Sequence, residues 1–392
     1  MKKYMQEPSI WLLIFLVGFP QISETIYTPS LPELAEQLQA SDNQIQQTLS
    51  AYFLGFALGV FCWGILSDKI GRRPSMLYGI ITYIIGSIGC LIANSVELLL
   101  IFRVVQAFGA ATGSVTTQTI MRDCYDDKRR PQAFAKVSAV LAFSPAVGPL
   151  LGSIISQYCG VSYIFVTLVI IGLVALIMSY FTLQETRPDS TTSSITILSV
   201  TKQMILDKHI WIFGSFIGII NGIIFSYYAE APFIFINNLY FSIVQYGCLG
   251  IVVALASFLG AVIGKKLITH LHYISVMRIG YALMLFSSLL FILSVGLPLP
   301  YILCLVGVCG SIFLLMAGIG IALPSCLSNA LIHYRNCLGI SGALLGLLYY
   351  IQVALITWGI SNLHNDSMLT LPFYLLALTC FLLILTLPLK QE

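Results

Sequence analysis

The chain has 392 residues and a net charge of +3, with 58% apolar and only 9% charged residues. Ordinary soluble domains carry about a quarter charged residues, so this composition excludes a soluble globular fold. The basic residues occur in twos and threes rather than massed on one element, which leaves nucleic-acid binding without an electrostatic footprint. The composition predicts a protein solvated by membrane lipid.

Apolar segments recur along the whole chain. A bilayer core needs about 20 apolar residues per helix, and this criterion predicts twelve spans. The first segment also resembles a secretory signal, but no small-residue cleavage site follows it, so we interpret it as a retained span. The predicted spans are 9–30, 45–66, 75–94, 98–121, 133–156, 161–183, 209–236, 242–264, 275–296, 300–323, 336–360 and 368–388.

One long polar segment, from Gln184 to Lys208, interrupts the series and contains a Ser/Thr cluster at 190–196. Such a composition is typical of a linker. The sequence therefore predicts an all-α integral membrane protein with a six-helix bundle at 1–183, a linker at 184–208 and a second six-helix bundle at 209–392.

The basic residues give the orientation. All but Arg103 of the nineteen Lys and Arg residues fall at the chain ends, in the linker, in every second loop or within the first four residues of the span that follows such a loop, and the intervening loops contain none. Cytoplasmic loops carry the positive excess in membrane proteins. Both termini and the linker are therefore predicted to be cytoplasmic.

Two motifs resemble those of the major facilitator superfamily. Between spans 2 and 3, residues 64–74 read GILSDKIGRRP, which is similar to the signature loop of that superfamily. In span 5, residues 145–152 read PAVGPLLG, which resembles the glycine-proline motif associated with its antiporters. The resemblance implies two six-helix bundles that alternate in access, gated by Gly64, Asp68, Gly71, Arg72, Arg73, Gly148, Pro149 and Gly152.

Span 1 points to one branch of this superfamily. Residues 27–32 read YTPSLP, similar to the YxPxLP stretch of the bicyclomycin and chloramphenicol resistance branch (Bcr/CflA), and RDCY at 122–125 and APF at 231–233 also resemble it. The branch commonly has an aspartate two residues before the tyrosine. Here Thr25 stands at that position and Glu24 precedes it, a displacement that turns a helix by about 100°.

The resemblance implies proton-coupled export of small organic molecules, including antibiotics, across the bacterial cytoplasmic (inner) membrane. It also implies a multi-pass monomer without a cofactor.

The candidate proton-coupling residues are Glu24, Glu230 and Arg103. An apolar segment favours the neutral form of a carboxyl group, so either acid could exchange a proton for a passing cation. The alternative is a hydrated anion in the headgroup region, especially for Glu230, which lies late in its span. Arg103 resembles the buried arginine of the superfamily, and a charge within a span costs about 2.5–3.5 kcal/mol on insertion scales, so we interpret it as a functional counter-charge.

A pattern that recurs in the first span of each half, an acid followed by a proline, favours a binding site between the halves. Glu24 precedes Pro29 in the first span of one half, and Glu230 precedes Pro232 in that of the other. Transporters of this architecture bind substrate near the midplane between repeats, and polar groups at midspan usually face inward. The candidate substrate-binding residues are Tyr27, Asn221, Tyr349 and Gln352. The alternative for any single aromatic residue is packing against lipid or a neighbouring helix.

Enzymatic sites are not recognised. Residues 260–266, GAVIGKK, have one residue too few for a phosphate loop and no Ser/Thr after the lysine. The five histidines form no helical zinc motif, and the sequence contains no nucleophile elbow. We therefore predict neither enzymatic activity nor a resident metal. Three hypotheses remain: an antiporter that exports drugs or toxic compounds, a dedicated exporter of a metabolite such as a siderophore, and a non-transporting channel or sensor. Intramembrane acids and gating motifs favour the first two.

Overall fold

The computed structural model describes residues 8–125, 129, 132–134, 136–137, 144–187 and 197–389. Every regular element in these residues is helical. Six helices precede the linker: α1 (Ile10–Gln37), α2 (Asp42–Ile70), α3 (Arg72–Ile92), α4 (Val96–Cys124), α5 (Ser144–Cys159) and α6 (Ser162–Thr182). Helix α7 (Ile197–Leu206) belongs to the linker, and six more follow it: α8 (Lys208–Asn238), α9 (Ile243–Leu267), α10 (Tyr273–Gly296), α11 (Tyr301–Ala330), α12 (Leu338–Leu363) and α13 (Thr370–Thr386).

These helices confirm the predicted all-α membrane fold. Within the described residues, ten helices are long and apolar enough to cross a bilayer, and α13 is a shorter apolar helix. The fifth predicted span, 133–156, and the linker at 184–208 lie partly outside the described residues. Helices α1 and α11 extend seven residues beyond the predicted ends at 30 and 323.

Prolines interrupt α1 beside the candidate residues. The α-helix runs over Ile10–Thr25, and a 3₁₀ turn at Thr28–Ser30 separates it from a last segment at Leu31–Gln37. Because proline has no backbone N–H, Pro29 and Pro32 interrupt the hydrogen-bond ladder. This break follows Glu24 by a single turn.

The second helix of each half begins in the same way. Ser41 and Gln44 form a reciprocal capping box at the start of α2, and Ser242 and Gln245 form one at the start of α9. Such a box satisfies two of the N–H groups left free at a helix start. The repeated cap accords with an internal repeat of six helices.

The two halves meet along two pairs of helices. Helix α2 packs against α12, and α5 packs against α9, while the remaining large helix contacts lie within each half. We call the end that contains the α2–α3 turn and the linker the linker end. The opposite end, where the α1–α2 and α12–α13 turns meet, is the far end.

Candidate functional site

Glu24 is a buried acid inside α1. The residue is 3% exposed, and its Oε1 atom has no hydrogen-bond partner. The positive charge of Arg103 acts on it through space, yet none of the ion pairs found among the described residues includes Glu24. A buried carboxylate without a partner is costly, so this setting favours the protonated carboxyl.

Arg103 on α4 lies between two aromatic rings. Its guanidinium carbon is 4.1 Å from the ring centre of Tyr27 and 4.3 Å from that of Tyr52. Its Nη1 donates to Oε1 of Gln106, whereas its buried Nε and Nη2 have no hydrogen-bond partner. Desolvated cation–π contacts are each worth about 2 kcal/mol. The two tyrosines therefore take the place of a carboxylate partner and leave Arg103 free to pair.

Hydrogen bonds fix the side chains around Arg103. The hydroxyl groups of Tyr27 and Thr48 are 3.0 Å apart. The amide Nε2 of Gln106 donates to Ser87 Oγ at 2.8 Å, so the partner of Arg103 is itself held by α3. This network links α1, α2, α3 and α4 around a single buried cation.

Helix α5 packs closely against the Glu24 segment. A Cβ atom at Gly148 would collide with the Thr25 hydroxyl, and one at Gly152 would collide with the carbonyl oxygen of Ile26. On the other side of α5, the carbonyl oxygen of Pro149 lies close to Gly247 of α9. The predicted motif therefore joins α1, beside Glu24, to the second half.

An aromatic cluster fills the interface between the halves. The ring centres of Phe53 and Phe225 are 4.2 Å apart, those of Phe56 and Tyr350 are 4.7 Å apart, and those of Tyr349 and Tyr350 are 4.4 Å apart. An ionised Glu24 would act electrostatically on both Tyr349 and Tyr350. The α12 tyrosines thus belong to the surroundings of Glu24.

The four predicted substrate-binding residues have four different surroundings. Tyr27 belongs to the Arg103 network, and Tyr349 belongs to the aromatic cluster. Asn221 donates to the carbonyl oxygen of Ile217 in its own helix at 2.8 Å. Gln352 of α12 donates from Nε2 to Ser215 Oγ of α8 at 3.3 Å, while its Oε1 is buried without a hydrogen-bond partner.

Glu230 lies at the far end and forms an ion pair with His364, which directly follows α12. Glu230 is 3% exposed, and its Oε2 is 2.9 Å from His364 Nδ1. Burial alone would lower the pKa of His364, but the interactions with the carboxylates of Asp42 and Glu230 outweigh it and raise the pKa to about 10. The structure therefore places Glu230 in a buried charge pair, at a different site from the Arg103 network.

Arg72 connects three helices at the linker end. Its Nη1 donates to Asp68 Oδ1 at 2.7 Å and to the carbonyl oxygen of Ser67 at 2.8 Å, while its Nε donates to Asp123 Oδ2 at 2.8 Å. The predicted gating residues Asp68 and Arg72 thus meet at one ion cluster. The partner Asp123 comes from the last turn of α4.

Glu185, which follows α6, caps α3. Its two carboxylate oxygens accept the backbone N–H groups of Arg72 and Arg73 at 2.8 and 3.2 Å. These are orphan donors of a helix start, where a negative charge is favourable. Gly71 has φ of +105°, and a Cβ there would collide with this carboxylate. Gly64 faces Ala343 of α12, so it lies at the interface of the halves.

Several residues of these sites lie outside the set that the sequence motifs predict. Gln106 follows Arg103 by three positions on a helix, a spacing that puts the two side chains on one face, so this pairing had a signal. Glu185 and His364 had no such signal, because each finds its partner through tertiary packing.

The chain resembles known proteins over nearly its whole length. The family model described as Major Facilitator Superfamily matches residues 10–357. An "Uncharacterized transporter" of Rickettsia felis is 34% identical over 381 residues, covering 95% of this chain and 93% of the relative. The "Multidrug resistance protein MdtL" of Shewanella oneidensis is 26% identical, covering 94% of this chain and 92% of the relative.

Solved structures agree on the fold. A partially occluded, inward-open form of the xylose transporter XylE from E. coli superimposes with a TM-score of 0.76 at 12% identity, covering 98% of this chain and 97% of that one. At that identity the likeness concerns the fold alone. Because the family model matches most of its length, the chain belongs to the Major Facilitator Superfamily of membrane transporters.

Proposed function

We propose that this chain is a proton-driven antiporter that exports small organic molecules, as a member of the Bcr/CflA multidrug efflux branch. The observation that carries the proposal is the buried carboxyl of Glu24, whose Oε1 has no hydrogen-bond partner, within the electrostatic range of a buried arginine with two unpaired nitrogens. Conduction through a pore does not require a buried acid. A carrier with alternating access, in contrast, can expose such an acid to each side of the membrane in turn. The MdtL relatives, named as multidrug resistance proteins, support export.

Glu24 is the proton carrier in this proposal. With the binding region open to the cytoplasm, an entering cation favours the carboxylate and displaces the Glu24 proton into the cytoplasm. After the halves rock, a proton from the outside returns to Glu24 and releases the cation. Arg103 stabilises the ionised form of Glu24. When Arg103 and Glu24 separate, a proton neutralises the carboxylate instead.

The aromatic cluster between the halves suits aromatic or cationic substrates. Rings of Phe53, Phe225 and Tyr350 offer stacking and cation–π contacts, and Tyr349 adds a hydroxyl within the electrostatic range of Glu24. A dedicated metabolite exporter would need directional polar contacts. Asn221, by contrast, is bonded to its own helix.

The orientation follows the basic residues. We place the linker end and both termini in the cytoplasm and the far end outside the bacterial inner membrane, with units 1–183 and 209–392 as the rocking bodies of a monomer. The Arg72 cluster then serves as a cytoplasmic latch, and the α5 motif as the hinge contact between α1 and α9.

Transport in proteoliposomes tests this function. Purified protein is reconstituted, a proton gradient is imposed, and the movement of ethidium, an aromatic cation, and chloramphenicol, a neutral aryl amide, is followed with and without an uncoupler. We expect uphill movement of the cation that stops with the uncoupler and is absent from Glu24→Gln. Glu36→Gln is the matched control, because Glu36 is an exposed acid in the same span.

Gradient-insensitive movement of both probes would contradict proton coupling. Ion currents far above carrier turnover would instead indicate a channel.

A further inference from the structure

The ring of His364 at the far end has two unequally bonded nitrogens. Its side chain is only 6% exposed. Nδ1 lies 3.0 and 2.9 Å from the two carboxylate oxygens of Glu230. Nε2 of the Gln46 amide lies 3.0 Å from the same nitrogen. Nε2 of His364, in contrast, is buried and has no hydrogen-bond partner.

Two carboxylates flank this unpartnered nitrogen. Asp42 Oδ2 and Asp366 Oδ1 are each 3.7 Å from Nε2, which is too long for an N–H···O hydrogen bond. The three ligand atoms lie within 4.8 Å of one another. Zinc binds nitrogen and oxygen ligands with bonds of about 2.0–2.2 Å. With such bonds, a ligand–ion–ligand angle of roughly 125° gives the observed nitrogen–oxygen distance of 3.7 Å.

Glu230 supplies the support that a metal-binding histidine needs. Such a histidine usually donates its other ring N–H to a carboxylate, which fixes the tautomer and orients the ring. Here the Nδ1 proton goes to Glu230, so Nε2 is the nitrogen that faces Asp42 and Asp366. Three carboxylates around one imidazole also leave an excess of negative charge, which a divalent cation offsets.

We propose that His364, Asp42 and Asp366 bind a divalent cation of the zinc class, with Glu230 as the positioning residue. An imidazole with two carboxylates suits zinc-like ions, whereas Mg²⁺ prefers oxygen ligands alone. The ion takes the place of the Nε2 proton, which passes to solvent. A cavity of 230 Å³ lined by Asn237, Asn238 and Ser367 adjoins the site and has room for water ligands.

This ion would connect the two halves of the chain. Asp42 begins α2, whereas His364 and Asp366 follow α12. The halves already touch here, because Asn43 Nδ2 donates to the carbonyl oxygen of Ser361 at 2.9 Å and Ser50 donates to Thr357 at 3.0 Å. A bound ion therefore holds the far end closed. This consequence rests on alternating access, whereas the binding itself does not.

Metal titration of the purified full-length protein tests the site. We expect calorimetry with excess Mg²⁺ present to show one tightly bound Zn²⁺ per chain. His364→Gln should abolish this binding, Asp366→Asn should weaken it at least tenfold, and Glu230→Gln should weaken it about 10–100-fold. The control is Glu97→Gln, because Glu97 is an exposed acid at the same end, and we expect its affinity to match the wild type.

Asp366→Asn keeps the test valid if His364→Gln fails to fold, because Asp366 is 95% exposed. Equal Zn²⁺ affinity in wild type and Asp366→Asn, or no binding by the wild type, would overturn the site.

A second readout addresses the connection between the halves. In a background without native cysteines, Thr357→Cys is occluded while the far end is closed. Zn²⁺ should slow its maleimide labelling several-fold, and Asp42→Asn should remove this effect. Binding at these residues with unchanged labelling would refute the bridge but leave the metal site and the export function standing.

Discussion

The guanidinium carbon of Arg103 lies 4.1 Å from the ring centre of Tyr27, and both side chains are fully buried. Arg103 is a proposed counter-charge for the proton carrier, and Tyr27 is a proposed substrate-binding residue. Their contact connects the two roles, because a substrate that displaces the Tyr27 ring alters the surroundings of the cation. Loss of the contact with Tyr27 then favours an ion pair between Arg103 and Glu24.

The ring of Tyr27 should matter more than its hydroxyl. Tyr27→Phe removes the bond to Thr48 but keeps the aromatic face over Arg103, so we expect transport within a few-fold of wild type. Tyr27→Leu removes the face, and with it about 2 kcal/mol of cation–π stabilisation. Initial export rates at matched protein abundance distinguish the two. Equal defects in both variants would argue that the hydroxyl, and not the ring, supports Arg103.

The close packing of α5 on α1 predicts a strong effect of one methyl group. Gly152→Ala places a Cβ against the carbonyl oxygen of Ile26, which separates the helices beside Glu24 and should cost about 1–3 kcal/mol in stability, together with most of the transport. Gly18→Ala is the matched control on α1, because its Cβ would meet no atom within 4 Å. Thermal unfolding in detergent and export assays measure both effects, and wild-type behaviour of Gly152→Ala would refute the packing argument.

The Arg72 cluster predicts a variant that affects turnover. Asp68→Asn weakens one of the two carboxylate contacts of Arg72 and leaves the Asp123 contact in place. We expect a lower maximal transport rate with nearly unchanged substrate binding, because the cluster lies at the linker end, away from Glu24. Separate measurements of ethidium binding and of transport rate check this. Unchanged transport at normal abundance would count against a latch.

Much of this architecture follows from sequence patterns. Long apolar runs predict the helices because each must fill a bilayer, and the loop at 64–74 predicts Asp68 and Arg72 as gating residues. The ion pair of Glu230 with His364 could not be foreseen, because His364 lies in a polar turn and reaches its partner through the packing of α12 on α8. The midspan position of Asn221 predicts that it faces substrate, and polarity alone does not reveal that its Nδ2 also donates to the carbonyl oxygen of Ile217 in its own helix.

The proposed orientation predicts opposite labelling at two exposed positions. Asn94→Cys, in the loop between α3 and α4, should react with a membrane-impermeant maleimide added outside intact cells. Lys202→Cys, on the linker helix, should react only after the membrane is opened. Both variants are made in a background without the ten native cysteines. Labelling of position 94 only from the cytoplasmic side would invert the topology.

Proton release on substrate binding tests the role of Glu24 most directly. Ethidium is added to purified protein in weakly buffered detergent, and a pH indicator reports released protons while fluorescence reports binding. We predict that the wild type and Glu36→Gln release protons as ethidium binds, and that Glu24→Gln, which imitates the protonated acid, binds ethidium without release. Proton release at the wild-type level from Glu24→Gln would contradict the account and assign the coupling proton to another group.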